Sequence, residues 1–287
     1  MERLEIFNQY RSLLFAIAYR MLGSHADAED MLQETWIRWQ STQTVVQSPK
    51  AFLSSIITRL CIDRLRLARV KREKYVGIWL PEPLITEKTN QSEDHAELAE
   101  SLSFAFLTLL ECLSPNERAI FLLREVFGYD YSEISKTVGK SIPNCRQIFR
   151  RARQHLVLRR PSINPSLEQK EKIVEKFLVS WNQGDLHQLI ALMAEDITFC
   201  SDGGGQATAA HYPLEGVQKV ARFLIAIRRS RLIPAFYPQI VKINDQPGIL
   251  NIVEGSTQSA FSFEFSDQAI KSIFAVVNPE KLRGAKL

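Results

Sequence analysis

Along the first quarter of the chain, apolar residues return every three or four positions. Leu13, Leu14, Ile17, Ala18 and Met21 line one side of a helix that Gly23 ends. Ser24-His-Ala-Asp27 opens a second helix with a Ser-x-x-Asp cap. Ser48-Pro49 opens a third, pairing an N-cap with proline in the first turn, and Leu53, Ile56, Ile57 and Leu60 form its apolar stripe. A second helical block runs from about Leu102 to Leu158. In it Ser114-Pro115-Asn116-Glu117 and Asp130-Tyr-Ser-Glu133 are both capping boxes, and Gly139 ends the helix that the second one opens. Ser141 then caps a longer helix whose Cys145, Phe149, Ala152 and Leu156 share one face.

Past Arg159–Gln169, a stretch with two prolines and small polar residues, the texture changes. Helices are expected over 168–182 and 186–193, separated by Gly184, and a strand over 197–201. The glycine run after Asp202 and a helix over 217–229 follow. Alternation with period two, as in Ala260–Phe265, then marks strands with turn signals at 244–248 and 254–257. Helices followed by an antiparallel sheet predict an α+β domain.

A length of 287 residues exceeds what one core usually holds, so two or three domains are expected. No apolar run reaches the roughly 18 to 20 residues that cross a bilayer, and no membrane role is expected. The N-terminus mixes acids and arginine among its apolar residues, unlike a secretory signal. Cys61, Cys112, Cys145 and Cys200 are scattered without CxxC or histidine pairing. That argues against a zinc site or disulfide framework and suits a reducing cytoplasm, so no metal or other cofactor is expected.

Charge is sorted along the chain. Residues 136–160 hold eight Lys or Arg and no acid, and residues 59–74 hold seven basic residues against Asp63 and Glu73. Residues 24–37 reverse the sign, with four acids and no Lys or Arg, and residues 82–101 set six acids against Lys88 alone. One such block is ordinarily a solvated helix face. Two basic blocks inside helical patterns point to nucleic acid.

A short helix, a Gly-containing turn and a long basic helix make a helix-turn-helix. With the apolar face inward, Pro143, Asn144, Arg146, Gln147, Arg150, Arg151 and Gln154 face out. Asn and Gln can pair with adenine edges, and Arg can grip guanine or phosphate. The helix over 52–74 surrounds its stripe with Arg59, Asp63, Arg64, Arg66 and Arg69, which suits contact with a DNA backbone. Trp36 and Trp39 could stack on bases, but at i, i+3 beside Leu32 they read as core residues.

"DAEDMLQETWIRW", "FLSSIITRLCIDRLR" and "LSPNERAIFLLREVFGYDYSEISKTVGKS…RRARQHL" together resemble the extracytoplasmic-function sigma factors over residues 1–160. The resemblance implies core RNA polymerase and promoter DNA as partners. Asp27, Glu29, Asp30, Gln33 and Glu34 would meet the polymerase. Arg59, Asp63, Arg64, Arg66 and Arg69 would take the −10 element, and Ser141, Asn144, Arg146, Gln147, Arg150 and Arg151 the −35 element.

Between the two helical blocks, Trp79-Leu80-Pro81-Glu82-Pro83 sets two residues that want burial against a rod held extended by its prolines. It resembles the linker signature of the sigma subfamily with a fused SnoaL-like domain. That subfamily also carries Asp-Gly-Gly-Gly-Lys and Asn-Pro-Asp-Lys-Leu motifs. Here these are Asp202-Gly203-Gly204-Gly205-Gln206 and Asn278-Pro279-Glu280-Lys281-Leu282, with Gln206 in place of lysine and Glu280 in place of aspartate.

The expected architecture is therefore multidomain, with two all-α sigma domains and an α+β SnoaL-like, ketosteroid-isomerase-like cone. Domain 2 is assigned to 1–78, the linker to 79–101, domain 4 with the helix-turn-helix to 102–160, a short linker to 161–167 and the cone to 168–287. The linker is expected to dock near Gly203–Gly205 and Asn278–Leu282, without need of a separate anti-sigma protein. The cone is expected to regulate rather than catalyse, with a small ligand as a further partner. An isomerase or cyclase fused to a sigma-like protein is the alternative, with Asp196, Asp202, His211 and Tyr212 as its candidate groups. A helix-turn-helix repressor is a third reading.

Overall fold

The helix starts at Ser24, Ser114 and Asp130 carry their capping hydrogen bonds in the computed structural model, which describes residues 3–72, 75–86, 103–157, 165–230 and 236–285. Helix α1 (Arg3–Leu22) ends at Gly23, whose amide donates to Tyr19 O at 2.7 Å with φ at 67°. Ser24 then caps α2 (His25–Ser41), accepting from Asp27 N at 3.2 Å, and α3 (Pro49–Arg72) begins at its proline. Helix α4 (Phe104–Leu110) precedes α5 (Pro115–Phe121), where Ser114 and Glu117 form the expected reciprocal box. A π-helical turn over Leu122–Val126 follows, then α6 (Tyr131–Val138) and α7 (Ile142–Val157).

The described residues divide into two compact units. One joins residues 1–74 to 107–160, so both helical blocks share it. Leu14, Ile17, Leu53 and Ile57 are buried there, and Arg118, only 3% exposed, donates to Met21 O at 2.8 Å and to Glu111 Oε1 at 2.8 Å. Tyr129 donates its hydroxyl to Ser54 Oγ at 2.6 Å. Trp39 is buried with its indole N–H on Arg3 O, and Trp36 packs on Phe7 with ring centres 5.0 Å apart. Trp39 has the core environment that the spacing implied, whereas Trp36 is only partly buried.

The second unit joins residues 75–106 to 161–287. Residues 75–78 and 103–106, grouped with the helical blocks on sequence, fall here because Tyr75 bonds Asp202 and Phe104 packs on Phe274. Its elements are α8 (Leu167–Gln183), α9 (Leu186–Ala191), α10 (Val217–Arg229) and one seven-stranded sheet. The strands are β1 (Ile85–Thr86), β2 (Met193–Asp202), β3 (Leu214–Glu215), β4 (Tyr237–Ile243), β5 (Gln246–Val253), β6 (Ser256–Ser266) and β7 (Ala269–Val276). Their order is β1-β4-β5-β6-β7-β2-β3. The expected helix over 186–193 stops at Ala191, and Met193 already belongs to β2.

The sheet is not wholly antiparallel, which corrects the sequence expectation. Strands β2 and β7 pair in parallel, because helices and a meander lie between them in the chain and bring β7 back beside β2 in the same direction. Alternation gives the sheet two apolar faces. Ile273 and Ala275 face the helices with Phe177, Trp181 and Phe261, while Phe274 and Val276 face a second cluster that contains Leu80, Phe104, Leu250 and Leu282.

Leu80 is fully buried in that second cluster. Leu80→Ala should lower stability by about 2 to 5 kcal/mol through lost transfer energy and the cavity left behind. Urea unfolding of the full chain measures it, with the loss expected in the transition that reports the sheet.

Candidate functional site

Asp130 caps α6, the short helix ahead of the long basic α7. Its side chain accepts from Ser132 N at 2.7 Å and Glu133 N at 2.9 Å, and these bonds hold its carboxyl below the usual range. Gly139 closes α6 in the left-handed region at φ 65°. On α7, Cys145, Ile148, Ala152 and Leu156 are buried. Asn144, Arg146, Gln147, Arg150 and Arg151 are all exposed, as is Ser141 just ahead of the helix. Arg146 is steadied by the Tyr131 ring, 5.5 Å from its guanidinium carbon.

The arginines of α3 are more committed. Arg59 donates to Thr137 O at 2.8 Å and to Lys136 O at 2.6 Å, at the C-terminal end of α6 where the helix dipole favours a cation. Arg64 pairs with Asp27 at 2.5 Å, and the hydrogen bond to Asp27 raises its already high pKa. Asp63 and Arg66 pair with each other at 3.1 Å, and the Arg69 side chain lies outside the described residues. In the acidic helix, Glu29 meets Arg11 at 3.1 Å and Glu34 meets Arg38 at 2.9 Å, while Asp30 and Gln33 are exposed. Asp27 and Arg64, assigned to different partners on sequence, thus neutralise one another.

The densest polar arrangement lies between the linker and the tail of the second unit. Asp202 is completely buried and accepts four donors. They are the Tyr75 hydroxyl at 2.5 Å, the Leu80 amide at 2.8 Å, the Gly204 amide at 3.0 Å and Lys281 Nζ at 2.6 Å. Lys281 also donates to Leu80 O, so both backbone polar groups of Leu80 are held. Its ammonium lies 4.1 Å from the centre of the Trp79 ring and 5.3 Å from that of Tyr75. Asn278 donates to the Tyr75 hydroxyl at 3.0 Å. Trp79 is half-buried, while Pro81, Glu82 and Pro83 are buried.

The glycines are there for close approach. A Cβ on Gly204, where φ is +59°, would sit 2.2 Å from Asn278 Nδ2, and one on Gly203 would sit 2.2 Å from Ala207 O. Gln206 is exposed, so the lysine that the related motif has there is not what charges this clamp; Lys281 is. Beyond the prolines, Leu84 exchanges two bonds with Asn244: its amide donates to Asn244 Oδ1 at 3.1 Å, and its carbonyl accepts from Asn244 N at 2.8 Å. Ile85 and Thr86 then add to the sheet opposite Ile243 and Lys242. Sequence reasoning missed Tyr75, Asn244 and β1. Only the Asn244-Asp245 turn signal pointed toward any of them.

On the helix side of the sheet lies a cavity of about 930 Å³. Its described lining contains no Asp, Glu or His. Asp196 is exposed and paired with Lys271, whose hydrogen bond holds its carboxyl below the usual range. His211 and Tyr212 are exposed on a loop, and Asp202 belongs to the clamp. None of the four candidate catalytic groups is among the described residues that line the cavity.

Residues 6–70 match Sigma-70 region 2, and residues 103–156 match Sigma-70, region 4. The ECF RNA polymerase sigma factor SigJ of Mycobacterium tuberculosis is 32% identical over 294 residues, covering 98% of this chain and 93% of that protein. The probable ECF RNA polymerase sigma factor SigI of the same organism is 26% identical, covering 95% and 92%. The crystal structure of Mycobacterium tuberculosis SigJ superposes with a TM-score of 0.80 at 29% identity, over 98% of each chain.

Burial, then the bond to Asp202, pushes the Tyr75 phenol above its ordinary value. A raised value means that folding favours the neutral phenol. Its contribution is complete below the unfolded pKa of about 10 and is lost as pH rises through the folded one. Linker contact should therefore be constant from pH 6 to 9. In an alkaline absorbance titration, Tyr75→Phe should remove one late-ionising phenol and leave the early ones unchanged.

Proposed function

The chain belongs to the extracytoplasmic-function sigma factors, and from that premise we propose which residues carry each contact and how the tail governs them. As a sigma factor it acts with core RNA polymerase and promoter DNA to initiate transcription at selected promoters, and it carries a fused SnoaL-like C-terminal domain. In our reading Asp27, Glu29, Asp30, Gln33 and Glu34 meet the polymerase. Arg59, Asp63, Arg64, Arg66 and Arg69 engage the −10 element, and Ser141, Asn144, Arg146, Gln147, Arg150 and Arg151 the −35 element. The exposure of the α7 residues supports the last of these directly. Engagement of the −10 element first requires Arg59 to leave the α6 carbonyls and Arg64 to leave Asp27.

The fused domain regulates by holding the linker. Trp79, Leu80, Pro81, Glu82 and Pro83 form the held strand, with Asp202, Gly203, Gly204 and Gly205 on one side and Asn278, Pro279, Lys281 and Leu282 on the other. The observation that carries this reading is the double hold on Leu80, its amide on Asp202 and its carbonyl on Lys281. A linker tied to the tail limits the separations that the two DNA-reading helical blocks can adopt. A built-in regulator of this kind makes a separate anti-sigma protein unnecessary. In this reading the domain performs no chemistry. The cavity takes a small regulatory ligand instead.

Run-off transcription with core polymerase tests the whole reading. Transcripts should appear only when the protein is added. Lys281→Ala should change output severalfold while core binding, followed by native gel, stays the same. Arg150→Ala should lower output at promoters without affecting core binding. Unchanged output from both Lys281→Ala and Trp79→Ala would sink the linker reading.

A further inference from the structure

Strand alternation puts Asn251 of β5 and Ser259 of β6 on the cavity side of the sheet, while Leu250 and Ala260 face the linker cluster. Asn251 is 2% exposed. Its Nδ2 donates to Ser259 Oγ at 2.7 Å, and its Oδ1 has no hydrogen-bond partner among the described residues. Among the described residues, no other lining side chain has a buried polar atom in that state. Around it are the rings of Trp181, Phe199, Phe223, Phe236 and Phe261. A buried amide oxygen without a donor is unfavourable, and a cavity of about 930 Å³ lies within the range of small-molecule sites.

We propose that this cavity binds a small, uncharged, largely aromatic molecule whose hydroxyl group bonds Asn251. The aromatic walls call for flat apolar surface. Arg283, exposed on the tail, is the only charged residue in the described lining, so an ionised group at the depth of Asn251 would be desolvated without a counter-charge. A hydroxyl satisfies Asn251 in either amide orientation. It donates to Oδ1 as drawn. With the amide turned, Ser259 donates to Oδ1 and the ligand hydroxyl accepts from Nδ2.

This deepens the ligand reading given above by naming the chemistry of what is bound. The cavity and the linker clamp also share walls. Ser201 lines the cavity beside Asp202 of the clamp, and Leu282 both lines the cavity and packs in the cluster around Leu80. Occupancy is thereby felt by the segments that hold the linker. That effect rests on the linker reading; binding itself does not.

Equilibrium dialysis of the full-length protein against 2-naphthol and 2-methylnaphthalene separates the hydroxyl from the ring. Both should bind, and Asn251→Leu should shift the ratio of their affinities by about tenfold toward 2-methylnaphthalene, the size expected for losing one buried hydrogen bond and gaining an apolar contact. Ala226→Trp, which fills the cavity from an exposed position on α10, should abolish binding of both and keeps the test standing if Asn251→Leu does not fold. No binding of either probe, an unchanged ratio in folded Asn251→Leu, or full binding in Ala226→Trp would each overturn the proposal. Dialysis reads none of the transcription steps, so its failure is distinguishable from failure of the linker reading.

Discussion

A carboxylate shut away from water sets the terms for the second unit. Removing Asp202 from solvent costs several kcal/mol unless its lone pairs and charge are answered. Lys281 answers the charge, and Gly204, Leu80 and Tyr75 supply the remaining donors. Two of those four donors, Tyr75 and Leu80, come from the linker and the residues just ahead of it. Linker and tail are therefore parts of one folding problem, because separating them leaves a buried anion half satisfied until water enters. Trp79 belongs to the same arrangement. Its ring covers the ammonium that pairs with Asp202, which explains why an indole stands in an otherwise extended proline segment.

The first unit is governed by a different economy of charge. The α3 arginines proposed to meet DNA are engaged with groups of the protein itself. Arg59 completes the C-terminal end of α6, and Arg64 sits on Asp27. Exposed pairs of this sort contribute little stability and exchange readily. The Arg59 bonds to Thr137 and Lys136, together with the bond from Tyr129 to Ser54, join the two helical blocks through α3. In the proposed reading a promoter competes with these contacts for α3, whereas the outer face of α7 is exposed.

Local chemistry made much of this legible. Capping boxes at Ser114 and Asp130, the glycine stop at Gly139 and the inward stripe of α7 depend on neighbours within four residues, so sequence spacing reveals them. The three motifs around Trp79, Asp202 and Asn278 marked the clamp. What was hidden depends on partners far along the chain. Parallel pairing of β2 with β7 leaves no periodic trace that distinguishes it from antiparallel pairing. Strand β1 is two residues long, too short for an alternation to show. Tyr75 lies 127 positions from Asp202, and nothing next to it in sequence announces the bond. The catalytic candidates lie off the described cavity lining for a related reason: residue type placed Asp196 and His211 under suspicion, but only the fold decides which side of a strand or loop they occupy.

Strand β1 has a consequence of its own. Ile85 and Thr86 occupy the outer margin of β4, where backbone amides and carbonyls are otherwise left unpaired. Any event that pulls the linker free also uncovers a ready template for a foreign strand. Release of the linker under the proposed regulation would thus carry a hazard of self-association, with the Ile85–Thr86 segment of one copy able to fill the vacancy in another.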